Sequence, residues 1–149
     1  MILDQSNIFS ALTGQTVTTG SENGVLSTYS VDLGLAARNM GVGEDLYVVV
    51  QVVTLLAGEG DTCTAALVTA AYAALNSPTT LQTIGTFPAN SAVGTRLVAK
   101  IQPSDSFLQY IGILYTAAGS GALSAGAFSA FLVKDIQAFT AYADNITIS

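Results

Sequence analysis

Cys63 is the single thiol of this 149-residue chain, and the sequence contains no histidine to activate it. Histidine-based triads and histidine metal sites are thereby excluded. A thiol without a base partner is a poor nucleophile. Alone, Cys63 forms no intramolecular disulfide, and its expected role is that of a small buried hydrophobe. The carboxylates are the next place to look. Glu44 and Asp45 are adjacent ahead of a strand, so they project in different directions and read as solvated turn charges. Glu59 and Asp61 could offer oxygens to a cation from one loop. Calcium takes about six to eight oxygen ligands, however, and no Asp-x-Asp-x-Asp-Gly pattern supplies them. No metal site and no cofactor are expected, and the chain is not expected to be an enzyme.

The glycine-rich stretch from Gly119 to Gly126 superficially resembles a phosphate-binding loop. A dinucleotide fingerprint would need glycine where Ser124 stands, and no Walker lysine follows. It lies between two predicted strands and reads as a flexible connection. Asn145-Ile146-Thr147 matches a glycosylation sequon, but with no secretory signal at Met1 to Gln5 it has no route to the modifying enzyme. A sugar platform of exposed aromatic rings is a further possibility. Tryptophan is absent, and Phe107, Tyr110, Tyr115, Phe128 and Phe131 fall within predicted strands, where core packing is the expected role.

The elements that would position these groups are β-strands. Half the residues are hydrophobic, 9% are charged, and fourteen are glycine. That composition fits a compact β protein with many turns and not a disordered chain. A chain of this length makes one domain, 1–149, burying roughly two thirds of its unfolded surface. The mean hydropathy of +0.54 is high for so small a domain, so apolar surface is expected outside or in an interface of a homo-oligomer. The net charge of −6 comes with only four scattered basic residues, Arg38, Arg96, Lys100 and Lys134, which argues against nucleic-acid binding. The longest near-apolar run, Leu46 to Ala57, falls short of the roughly twenty residues of a spanning helix. No membrane association is expected, and the chain is expected to be made in the cytoplasm.

Short β-branched or aromatic runs alternate with turn residues along the chain. Gln15 to Thr19 reads as an edge strand and Val25 to Leu33 as the next extended segment. Leu46 to Leu56, with five valines, reads as a central strand covered on both faces. Gly58-Glu59-Gly60-Asp61 then turns the chain back into Thr62 to Ala71. The alanines of Thr64 to Leu75 favour helix. Its first half reads as strand, its second as loop or a short helical turn ended by Asn76-Ser77-Pro78. Further strands are expected at Thr80 to Thr86, Thr95 to Ile101, Phe107 to Thr116 and Ala127 to Lys134, with a short extended piece at Asn145 to Ile148. This spacing predicts an all-β protein, a jelly-roll-like β-sandwich of about eight antiparallel strands. The segments Met1 to Ser10 and Phe139 to Ser149 flank that sandwich. Their apolar residues Ile2, Leu3, Ile8, Phe9, Phe139 and Tyr142 are the expected partner contacts. The alternative is that both segments add edge strands to the protein's own sheets.

Five blocks resemble the capsid cement (decoration) proteins of short-tailed phages of the Bordetella phage type. They are Met1-Ile2-Leu3-Asp4-Gln5-Ser6-Asn7-Ile8-Phe9-Ser10, Val31-Asp32-Leu33-Gly34, Gly41-Val42-Gly43-Glu44-Asp45-Leu46-Tyr47-Val48-Val49, Ser77-Pro78-Thr79-Thr80-Leu81, and Ser124-Ala125-Gly126-Ala127-Phe128-Ser129-Ala130-Phe131-Leu132. They span nearly the whole chain in order, and none is a chemical motif. The resemblance implies a jelly-roll protein on the outer capsid surface of a virion. It would bind the major capsid protein of an HK97-type shell, reinforce capsomer joints and act as a homodimer. Two other readings stay open: a carbohydrate-binding β-sandwich (a phage surface lectin), and a small hydrolase or isomerase, which the missing histidine disfavours.

Overall fold

The computed structural model describes residues 5–17, 24–34, 45–58, 61–102, 106–119, 123–134 and 136. Among them a 3-10 turn, Gln5–Asn7, leads into nine strands. These are β1 (Ile8–Thr16), β2 (Val25–Leu26), β3 (Val31–Asp32), β4 (Tyr47–Ala57), β5 (Thr62–Ala70), β6 (Thr79–Phe87), β7 (Arg96–Lys100), β8 (Tyr110–Ala118) and β9 (Ala125–Val133). All pairings are antiparallel and fall into two sheets. The first runs β1-β9-β4-β7 and the second β2-β8-β5-β6, with β3 also on β8.

β2 and β3 are two halves of one interrupted strand, since both lie along β8, at Leu26↔Leu114 and Val31↔Ile111. Counted that way, eight strands take the orders 1-8-3-6 and 2-7-4-5. Those are the two interleaved Greek keys of a jelly roll. No helix among the described residues is long and apolar enough to cross a membrane.

The valine-rich segment behaves as its pattern predicts. β4 lies between β9 and β7, and Val48, Val50 and Val52 enter the main core. Val49 faces the other way and is buried with Phe131 and Val133 in a second apolar cluster, against which Ile8 and Tyr47 pack. β5 extends to Ala70 despite its alanines, because it is paired on both sides, with β6 and β8. Tertiary pairing overrides helix propensity there. The loop expected after it is present.

The N-terminal region differs from expectation. The strand predicted at Gln15 to Thr19 is β1, which starts at Ile8 and pairs with β9 as far as Thr16. Register shifts between Ile8 and Ser10 and between Ser10 and Gln15 break the two-residue alternation, so periodicity does not reveal this strand. The extended segment expected from Val25 to Leu33 is interrupted at 27–30. The expected piece at Asn145 to Ile148 lies outside the described residues.

The two sheets meet through an aromatic stack. Phe128 sits 5.1 Å from Phe87 and 5.3 Å from Tyr115, measured between ring centroids. The buried Tyr115 hydroxyl needs a partner, and Ser10 Oγ lies 2.8 Å from it. Ser10 donates onward to Gln15 Oε1 (2.8 Å), which also accepts from the Thr28 N–H (2.9 Å). Gln15 Nε2 donates to the Leu26 carbonyl (2.7 Å). This chain of bonds ties β1 of one sheet to β2 of the other and closes that side of the sandwich.

Candidate partner-binding surface

The groups that could do chemistry are dispersed. Cys63 is fully buried in the core, and that burial pushes its thiol up to about 12, so it stays protonated at neutral pH. Asp61 is buried at the start of β5 against Gly58 and Gly119. Its expected companion Glu59 lies outside the described residues, as does Glu44. Among the described residues no three histidine, cysteine or acidic side chains gather as metal ligands.

Asp45 forms an exposed salt bridge with Lys100 at 2.6 Å, joining the approach to β4 with the end of β7. The hydrogen bond that Lys100 Nζ donates to the Asp45 carboxylate raises the Lys100 pKa. The glycine-rich connection enters β9 through Leu123, a core residue, and through Ser124, whose N–H and hydroxyl both donate to the Ala57 carbonyl (2.9 and 3.2 Å).

Of the five aromatic residues weighed as a sugar platform, Tyr115, Phe128 and Phe131 are buried, and Phe107 packs partly against the core. Tyr110 is half-buried and its hydroxyl accepts a hydrogen bond from Gln109 Nε2 (3.1 Å). None forms an open face.

Four of the six expected contact residues, Ile2, Leu3, Phe139 and Tyr142, lie outside the described residues. The other two belong to the fold. Phe9 is 0% exposed in the main core and is withdrawn as a partner contact. Ile8 is half-buried against the outer cluster of the first sheet. For residues 8–10 the alternative reading holds, because they begin an edge strand of the protein's own sheet. Ile8 faces the outer cluster and Phe9 the main core, as strand alternation requires, and the register shift between Ile8 and Ser10 turns Ser10 inward as well.

The exposed apolar side chains lie mainly elsewhere. Leu12, Tyr29, Leu55, Tyr72, Val93, Val98, Leu108 and Ile136 are all open to solvent. Tyr72 is the most open at 68%, with Tyr29 at 51% and Leu108 at 46%. The second sheet carries a single charged residue, Asp32 on β3, among its five strands. Its β6 presents Thr80, Thr83 and Thr86 to solvent while Leu81, Ile84 and Phe87 turn to the core. That three-residue spacing within a strand arises from two register shifts against β5.

Among the described residues the sandwich thus scatters or buries its titratable groups, and apolar and hydroxylic side chains stand open beside the exposed Asp32, Asp45, Arg96, Lys100 and Lys134. The Bbp16 family model matches residues 10–132, and the chain belongs to that family, whose name points to a Bordetella bacteriophage protein. No curated protein matches the chain. The matched span takes in nearly all of β1 and the whole sandwich up to Leu132. It leaves out all six residues expected as contacts and includes Tyr29, Tyr72 and Leu108.

Proposed function

We propose that this protein is a structural component of a phage virion, a cement or decoration protein. It binds the outer surface of an HK97-type capsid and reinforces the joints between capsomers. The observation that carries this reading is the family match across the jelly-roll sandwich, read together with the blocks of resemblance to phage cement proteins. The partners are the major capsid protein and a second copy of the chain. Neither nucleic acid, membrane, metal nor cofactor is required, and no catalysis is involved.

The physics supports the reading at two points. A chain of net charge −6 is repelled by packaged DNA and suits the outer face of a shell. Many copies, each with a modest interface, stiffen a shell because contacts across a joint must break before the joint opens. Purified protein added to capsids stripped of it should co-sediment with them and saturate at a fixed stoichiometry. Protein that stays in the supernatant at every concentration would overturn the proposal.

A further inference from the structure

The sandwich has four lateral edges, formed by β1 and β7 in the first sheet and by β2–β3 and β6 in the second. An open strand edge presents unpaired N–H and C=O groups to any extended chain, and natural sheets blunt it with bulges, breaks or charges. Three of the four edges are broken here. β1 carries two register shifts against β9, β6 carries two against β5, and β2 and β3 are two residues each. β7 is different. Its five residues stay in unbroken register with β4, from Lys100 at Tyr47 to Arg96 at Gln51, and no strand among the described residues pairs with its other side.

The Ile101 N–H donates to the Leu46 carbonyl (2.8 Å) and the Val52 N–H to the Thr95 carbonyl (2.9 Å). Antiparallel pairing alternates, so Leu97 and Ala99 also turn their backbone groups to β4, and Arg96, Val98 and Lys100 turn theirs to the free edge. The side chains alternate too. Leu97 packs against the core, while Arg96, Val98 and Lys100 stand exposed on the outer face, Val98 at 40%. Register sets Val98 beside Val49, whose cluster with Phe131 and Val133 continues across that face. Arg96 donates one N–H, from Nε, to Gln51 (2.8 Å), and Lys100 is held by Asp45.

Two of the four basic residues of a chain with net charge −6 thus flank one apolar residue on one regular edge. The same strand of a second copy does not fit it. In the register that overlaps all five residues, Arg96 would meet Lys100 across the two-fold axis, and like charges directly opposite repel. We infer that β7 is a docking edge that takes an extended segment of another protein as a fifth strand of the first sheet, with an apolar residue opposite Val98 and a carboxylate opposite Arg96. The chemistry of that segment rests on the edge alone. That it belongs to the shell protein rests on the cement reading.

The probe is the acetylated, amidated peptide Thr-Glu-Thr-Val-Thr-Glu-Thr, which reads the same in both directions, added to the full chain and followed by amide NMR. Millimolar peptide should shift the Arg96, Val98 and Lys100 amides and slow their hydrogen exchange. N-methylation of the peptide valine, or lysine in place of its glutamates, should abolish the effect, and Arg96→Glu should weaken it at least about 10-fold. Unperturbed β7 amides, or equal binding by the lysine peptide, would overturn the inference and leave the two cations as guards of the edge. Val98→Pro removes one edge N–H and spares the ladder to β4. It and Arg96→Glu should melt as wild type does and bind stripped capsids at least about 10-fold more weakly. If both bind capsids as wild type does, the shell protein is not the source of the strand, and the cement reading stands without it. If wild type takes up the peptide but not capsids, the cement reading falls and the docking edge stands.

Discussion

β8 carries two unlike pieces of packing on its opposite faces. Inward, Tyr115 stacks on Phe128, Phe128 contacts Phe87, and Ser10 reaches the tyrosine hydroxyl, so groups from both sheets are locked together. Outward, Gly112 makes room for Leu75, and one buried side chain holds a strained loop that exposes Tyr72. The first arrangement spreads its contacts over elements far apart in sequence. The second depends on one glycine and one leucine. Folding stability and surface presentation therefore rest on separate sets of residues, and each can be removed without the other.

The largest effect is expected inside. Phe128→Ala deletes the ring shared by both aromatic contacts and should cost about 3–5 kcal/mol, read as a drop in the denaturant midpoint with the whole domain melting at once. Gly112→Ala attacks the outer arrangement. Its Cβ would overlap Leu75 and approach Ser27 Oγ to 2.9 Å. The expected cost is about 1–3 kcal/mol. Hydrogen exchange should rise in the 71–78 loop before it rises in β4 or β9. A global loss of protection in Gly112→Ala would erase the distinction between the two faces.

Alkaline pH weakens the inner arrangement alone. Burial raises the pKa of Cys63 from 9.0 to about 12, and burial likewise raises that of Tyr115 against the opposing effect of its Ser10 hydrogen bond. Both groups favour the protonated form when folded. Their contribution is complete below about pH 9 and is lost as pH rises toward the folded values, since the unfolded chain then binds fewer protons. Denaturation at pH 7 and at several values above 9 should show falling stability, with a shallower fall in Cys63→Ala. The smallest effect on stability is expected at the tip. Tyr72→Ala removes an exposed ring and should leave the melting temperature unchanged within error.

The same contrast explains what could be read ahead of the fold. β4, β7 and β9 announce themselves through valine, phenylalanine and intervening turns, and the all-β class follows from them. β1 does not, because its bulges destroy the alternation and its partner β9 is more than a hundred residues away. For that reason the sequence pattern places Phe9 in a flank of the sandwich and not in its core. Tyr72 was hidden for a different one. It sits in an alanine-rich run whose periodicity carries no sign of exposure, and Leu75 takes a left-handed conformation that no leucine advertises. The usable signal was the Asn76-Ser77-Pro78 turn, which requires the preceding residues to leave the strand. Nothing in the sequence pattern says that they then fold back over Gly112.

The most direct test of the account is a cryo-electron microscopy reconstruction of stripped capsids refilled with the purified protein. The predicted result is jelly-roll density on the outer surface, straddling capsomer joints, with the refilled capsids rupturing at a higher temperature than stripped ones. Bare shells at saturating protein would contradict the account, as would density confined to the interior or to the tail.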